Sequence, residues 1–132
     1  MPANPLRQVA TQPDPYAPFR ISQAIEAGGF VFVSGQAALD LQGRLVGGDD
    51  FEAQAEQAFA MLATVLDAAG SSLARVVKVT IYVTDMANFP TIVRLREKHF
   101  SRPYPADTIV QVGQLALPEL KIEIDAVALA GR

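Results

Sequence analysis

The sequence predicts a two-layer α+β domain in which two helices cover one side of a single mixed sheet. Three observations predict it. Short runs rich in β-branched and aromatic residues alternate with a period of two, one long stretch carries apolar residues at a helical period, and the elements come in the order β, β, α, β, α, β, β. The 132 residues are half hydrophobic and 19% charged. A chain of that size buries roughly two thirds of its unfolded surface, so one core forms without metal or disulfide staples.

Residues 1–18 hold five of the nine prolines. Proline fixes φ and removes an amide donor, so this segment is expected to be an extended, partly mobile arm laid over the domain or a neighbouring subunit. A single domain is expected over residues 19–132. Phe19, Ile21, Gln23 and Ile25 alternate, Ala27-Gly28-Gly29 supplies a turn, and Phe30-Val31-Phe32-Val33 follows; together they predict a hairpin. Residues 39–48 are expected to form a loop or a short strand.

Asp49 and Glu52 have capping-box spacing. Behind them Phe51, Ala55, Ala58, Phe59, Leu62, Val65, Leu66 and Ala69 form one helical stripe, with Gly70 placed for a left-handed stop. The run from Val76 to Val83 predicts a central strand, with Val77, Val79, Ile81 and Val83 on one face. Asn88 and Pro90 open a second helix whose inner side takes Phe89, Ile92, Val93, Arg96 and Phe100. Strands are expected over Thr108–Val112 and Lys121–Leu129. The sheet face away from the helices then mixes apolar side chains with Lys78, Thr80, Tyr82 and Glu123. Such a face is closed most simply by symmetric association, which also creates clefts between subunits.

Composition excludes several function classes. There is no cysteine and one histidine, which removes thiol catalysis, Cys-based zinc and iron–sulfur sites and leaves the cytosol as the default compartment. No cofactor or metal is expected. Eleven Lys and Arg stand against 14 Asp and Glu, a net charge of −3, so nucleic acid is not an expected partner; Arg94, Arg96, Lys98 and Arg102 alternate with Glu97 and His99 as a solvated helix end does. No apolar run approaches a membrane span, and no secretory pattern opens the chain. Phosphate loops and the GxSxG elbow are also missing.

The segments Phe32-Val33-Ser34-Gly35-Gln36, Ala68-Ala69-Gly70-Ser71-Ser72-Leu73, Val76-Val77-Lys78-Val79-Thr80-Ile81-Tyr82-Val83-Thr84-Asp85-Met86 and Leu120-Lys121-Ile122-Glu123-Ile124-Asp125-Ala126-Val127-Ala128 resemble the YjgF/Rid family of reactive-intermediate deaminases. They follow that family's order and span nearly everything from Phe19 onward. The resemblance implies a chorismate-mutase-like fold, a homotrimer around a central β-barrel, and three clefts between subunits. It also implies hydrolysis of imines or enamines, chemistry that needs a held substrate, a positioned water and a proton-exchanging group. Glu123 matches the glutamate that orients water, and Ser34-Gly35 matches the substrate-binding Ser-Gly of the second strand.

The family's carboxylate-gripping arginine follows a Pro-Ala pair, and here Pro105-Ala106 is followed by Asp107. A family tyrosine is Ile21, an asparagine on the second helix is Val93, and the position two after Asp107 is Ile109. Tyr104 is a candidate replacement for the lost phenol, against a packing role between prolines. An anion at position 107 would repel a substrate carboxylate ~4 Å away by about 4 kcal/mol at an effective dielectric of 20. The resemblance therefore implies a neutral or cationic, partly apolar ligand, with Glu123 ordering water and Asp107 as its proton partner, their proximity raising one carboxyl pKa. Alternative readings stay open: a solvated or paired Glu123, Asp107 capping a turn or pairing with Arg102 or Arg20, Ser34-Gly35 as a strand end, and His99 beside a helix dipole. Three function classes follow: an imine-deaminase-type hydrolase, a non-catalytic trimeric small-ligand module, and an L-PSP-type endoribonuclease that inhibits translation.

Overall fold

A computed structural model describes residues 5–131, and among these the sheet has six strands. In chain order the elements are β1 (Arg7–Val9), β2 (Ala24–Ala27), β3 (Phe30–Ala37), α1 (Phe51–Ala68), β4 (Val76–Val83), α2 (Phe89–His99), β5 (Ala106–Gln111) and β6 (Ile122–Leu129). The sheet runs β1-β2-β3-β6-β4-β5; β4 and β5 are parallel, joined through α2, and the other pairs are antiparallel. Both helices lie on one side, as the two-layer reading expects. No described helix is long and apolar enough to cross a membrane.

Alternation decides which side each strand residue joins. Ile122, Ile124, Ala126 and Ala128 of β6 and Val79, Ile81 and Val83 of β4 are buried beneath Ala55, Phe59, Leu62 and Leu66 of α1 and Ile92 and Leu95 of α2. Burying one such aliphatic or aromatic side chain is worth about 1.5–3 kcal/mol, so this layer supplies most of the driving force. Asp50, one residue after the expected Asp49, caps α1 by accepting a bond of 2.8 Å from the Ala53 amide. Asp49 instead faces Lys121 at 3.2 Å. Gly70, at φ +79°, makes the left-handed exit that a side chain would strain.

Four expectations are corrected. Residues 7–9 are extended and laid over the domain, as expected, but they belong to the sheet and reach the core, which the arm reading excludes: β1 pairs with β2, and Val9 is 2% exposed. Pro5 and Pro13 bracket this stretch without interrupting it, so its amides stay free to pair; residues 1–4 lie outside the described residues. The strand expected from Phe19 begins only at Ala24, because Ala17–Phe19 is a 3-10 turn and buried Gln23 exchanges two bonds with Thr11, of 2.6 and 2.9 Å. A register shift between Val76 and Lys78 turns Val76 inward and leaves Val77 39% exposed, the reverse of strict alternation. On α2 the buried positions are Ile92 and Leu95, while Val93 is half exposed.

A carboxylate at a bulge and an ion pair in a cleft

The second register shift shapes the candidate site. Val33 pairs with Ala126 and Gln36 with Ile124, so Ser34 and Gly35 together oppose Asp125 alone. Two residues against one is a β-bulge, a device that re-aims side chains. Ser34-Gly35 is thus a mid-strand bulge, which corrects its reading as a strand end. Ser34 is tied down twice, its amide donating to the Gln23 carbonyl at 2.9 Å and its hydroxyl to the Ser22 carbonyl at 2.6 Å. Glu123 lies across Gly35. A Cβ at position 35 would fall within the carboxylate, 2.6 Å from Glu123 Cδ, so only glycine leaves room for it.

The Glu123 carboxyl is pushed above the ordinary carboxylate range, first by burial and then by the neighbouring charge of Asp125. Asp125 in turn accepts the Tyr82 hydroxyl at 2.8 Å, which raises the Tyr82 phenol pKa. Opposite, the Tyr16 hydroxyl donates to the Gly35 carbonyl, and burial followed by the Glu123 charge pushes its pKa up to about 12. Tyr16 therefore stays a neutral donor at physiological pH. Sequence reasoning missed it. Its only signal was an aromatic ring within the proline-rich segment, whereas Tyr104, the expected replacement phenol, is 45% exposed and lies 5.7 Å from the Arg102 guanidinium.

Asp107 is elsewhere. It pairs in register with Val79, on the helix-covered side of the sheet, while Glu123 pairs with Tyr82 on the open side. One chain does not bring the two carboxylates together, and Asp125, not Asp107, perturbs Glu123. Nor is Asp107 a lone anion, or a partner of Arg102 or Arg20. Arg96 of α2 holds it, donating from Nη2 to Oδ1 at 3.0 Å, with Nε 2.9 Å from Oδ2 as an ion-pair contact without hydrogen-bond geometry. A cation on the inner stripe of α2 was the signal for this pair, since a half-buried guanidinium requires a counter-charge. The expected repulsion from an unpaired anion is thus overturned.

Val93, Arg96, Glu97, Tyr104 and Asp107 line one cavity of about 400 Å³, with Phe100 and Pro105. Ile21, half exposed before β2, and Ile109, packed against the main core, are not in its wall. His99 is also placed away from the chemistry: it stacks on Phe59 with ring centres 4.5 Å apart and bonds Glu56 at 2.7 Å.

Fold and site define a class, a two-layer chorismate-mutase-like domain with a half-buried carboxylate set against a strand bulge. Residues 9–130 match the Endoribonuclease L-PSP family profile, and the chain belongs to this YjgF/Rid family. It is 38% identical over 117 residues to a RutC family protein of Pyrococcus horikoshii, covering 88% of this chain and 90% of that one. It is 30% identical over 128 residues to a 2-iminobutanoate/2-iminopropanoate deaminase of Dermatophagoides farinae, covering 96% and 98%. The crystal structure of RidA from an Antarctic Psychrobacter superposes with TM-score 0.85 at 35% identity, over 93% of this chain and 98% of that chain.

Proposed function

We propose that the protein is a hydrolase of the imine or enamine deaminase type, acting on a small, partly apolar, non-carboxylate metabolite in a cleft between subunits of a homotrimer. The observation that carries this reading is the Glu123 carboxylate held against Gly35 with a raised pKa. A carboxylate that exchanges its proton nearer neutrality is suited to deliver water to an electrophilic imine carbon and return a proton to the leaving nitrogen. Tyr16 acts as a positioning residue through the Gly35 carbonyl. The ligand's proposed charge class is supported by the cavity around Asp107, where one guanidinium already held by a carboxylate stands with two acidic side chains, Asp107 and Glu97.

The open sheet face supports association of subunits, and the trimer is the family arrangement that would close it. Phe30, Phe32, Val77, Val110 and Leu129 are each between 37 and 47% exposed there, and association would cover them. The ribonuclease reading is weaker, because Arg94 and Lys98 are engaged by Glu52 and Glu56 of α1 at 3.1 and 2.6 Å and so do not form a free basic track. Oxidase-generated imines of neutral, cationic and acidic amino compounds, with ammonia release as readout, test the proposal. Turnover of the neutral or cationic members, lost in Glu123→Gln with ligand affinity kept, is the expected result. Binding that Glu123→Gln leaves intact, with no turnover by the parent protein, would make it a ligand-binding module instead.

A further inference from the structure

We infer that the Arg96–Asp107 pair is a latent carboxylate site filled from within: Asp107 occupies the fork of Arg96 that would otherwise take an anionic ligand, and so sets the pocket's charge preference. The inference deepens the proposed reading, because it takes this cavity as part of the substrate cleft. Three observations carry it. Arg96 donates one hydrogen bond from Nη2 to Asp107 Oδ1 at 3.0 Å and brings Nε within 2.9 Å of Oδ2 without hydrogen-bond geometry, so guanidinium and carboxylate form a close, charge-assisted ion pair of the kind arginine makes with carboxylates. Both side chains are mostly shielded, at 23 and 18% exposure, so the contact is no loose surface pair. The guanidinium is also held from a second direction, 5.5 Å from the centre of the Phe89 ring.

Position 107 can therefore lose its carboxylate without releasing Arg96 into solvent. What remains is a cation at the wall of a cavity of about 400 Å³ whose other walls are Val93, Phe100, Tyr104, Pro105 and one remaining acid, Glu97, which offsets part of the attraction but does not occupy the guanidinium in an ion pair. A planar apolar body with one carboxylate matches that arrangement. Asp107 is then a specificity-determining residue, since its presence turns an anion pocket into one for neutral or cationic ligands.

Benzoate and benzylamine, each titrated into the full chain and followed by heteronuclear NMR, test this without any turnover. The wild type is expected to bind benzoate no more tightly than benzylamine. Asp107→Ala should bind benzoate at least tenfold more tightly than the wild type does and reverse that order, and the gain should vanish in the Asp107→Ala, Arg96→Gln double variant. Asp107→Asn keeps the side-chain volume and should shift the preference in the same direction, which preserves the comparison if the alanine variant does not fold. A folded Asp107 variant with no gain, or a gain that survives removal of Arg96, overturns the inference. A gain in benzoate binding by a protein that hydrolyses no imine would sink the enzyme reading alone. Imine turnover without the gain would sink only this one.

Discussion

The two faces of the sheet are built from the same strands and held to opposite rules. On the helix side β6 presents Ile122, Ile124 and Ala126, all at 3% exposure or less, against an apolar layer. On the other side the same strand presents Glu123 and Asp125, two carboxylates close enough that one raises the pKa of the other. The charge that does reach the helix side, Asp107, is neutralised by Arg96, whereas Glu123 makes no ion pair among the described residues. The difference separates structure from chemistry: one face settles its polar groups, and the other keeps a carboxyl group unsettled.

The sharpest way to break this contrast is to truncate one large ring on each face. Phe59→Ala, in the covered layer at 0% exposure, should lower unfolding free energy by about 3–5 kcal/mol in urea titration. Phe32→Ala, 47% exposed on the open face, should cost less than about 1 kcal/mol in the isolated chain. If the trimer forms, the Phe32 effect becomes concentration-dependent and light scattering shows lighter species. Equal, concentration-independent losses for the two would show that the faces do not differ as described.

Gly35→Ala comes next. Its methyl must displace the Glu123 carboxylate, the far end of a flexible, half-buried side chain that can swing aside, so a loss under about 1 kcal/mol by thermal or chemical denaturation is expected, together with loss of imine turnover. A fully active Gly35→Ala protein would mean that the carboxylate's position is immaterial. Glu123→Gln has the opposite effect on stability. Glu123 has a higher pKa folded than unfolded, so the folded chain holds its proton longer, and stability falls as pH rises through the window between the two values and stays lower above it. The glutamine variant should therefore melt higher than the parent at pH 7, an advantage that disappears once the pH falls below the ordinary glutamate range. Calorimetry giving the same difference in both pH ranges would refute this.

Glu56→Gln should have the smallest effect. Its carboxyl is held below the ordinary range, first by the bond from Lys98 and then by His99, so that stabilisation is present above the unfolded pKa and is lost as pH falls through the lower folded value. Solvent screens this exposed cluster, and the loss should be under about 1 kcal/mol and shrink further in high salt. A loss as large as that of Phe59→Ala would mean that the bridge between α1 and α2, not the apolar layer, holds the helix side together.

Periodicity carried the fold, and proximity did not. The span of β4 was legible residue for residue because β-branched side chains dominate it, and α1 was legible because its stripe continues over five turns. What the sequence concealed depends on contacts between distant segments. Tyr16 reaches a carbonyl 19 residues away, and Arg96 finds Asp107 eleven residues on; in each pair the partners sit on different elements, so no periodicity within one element links them. The bulge at Ser34-Gly35 is likewise invisible to alternation, since it is defined by the single residue opposite it on β6. Glu123 and the glycine beside it were legible only as a match to a known pattern, and the geometry then supplied the reason they belong together.

That reason also limits how the molecule can change. Positions 35 and 123 share one volume, so a side chain that grows at 35 drives the carboxylate of 123 from its place. Alanine at 35, damaging to turnover alone, should cost nothing further once 123 is also alanine, so the two effects do not add. A lineage that fills position 35 gives up the placed acidic group in the same step, whichever residue then stands at 123.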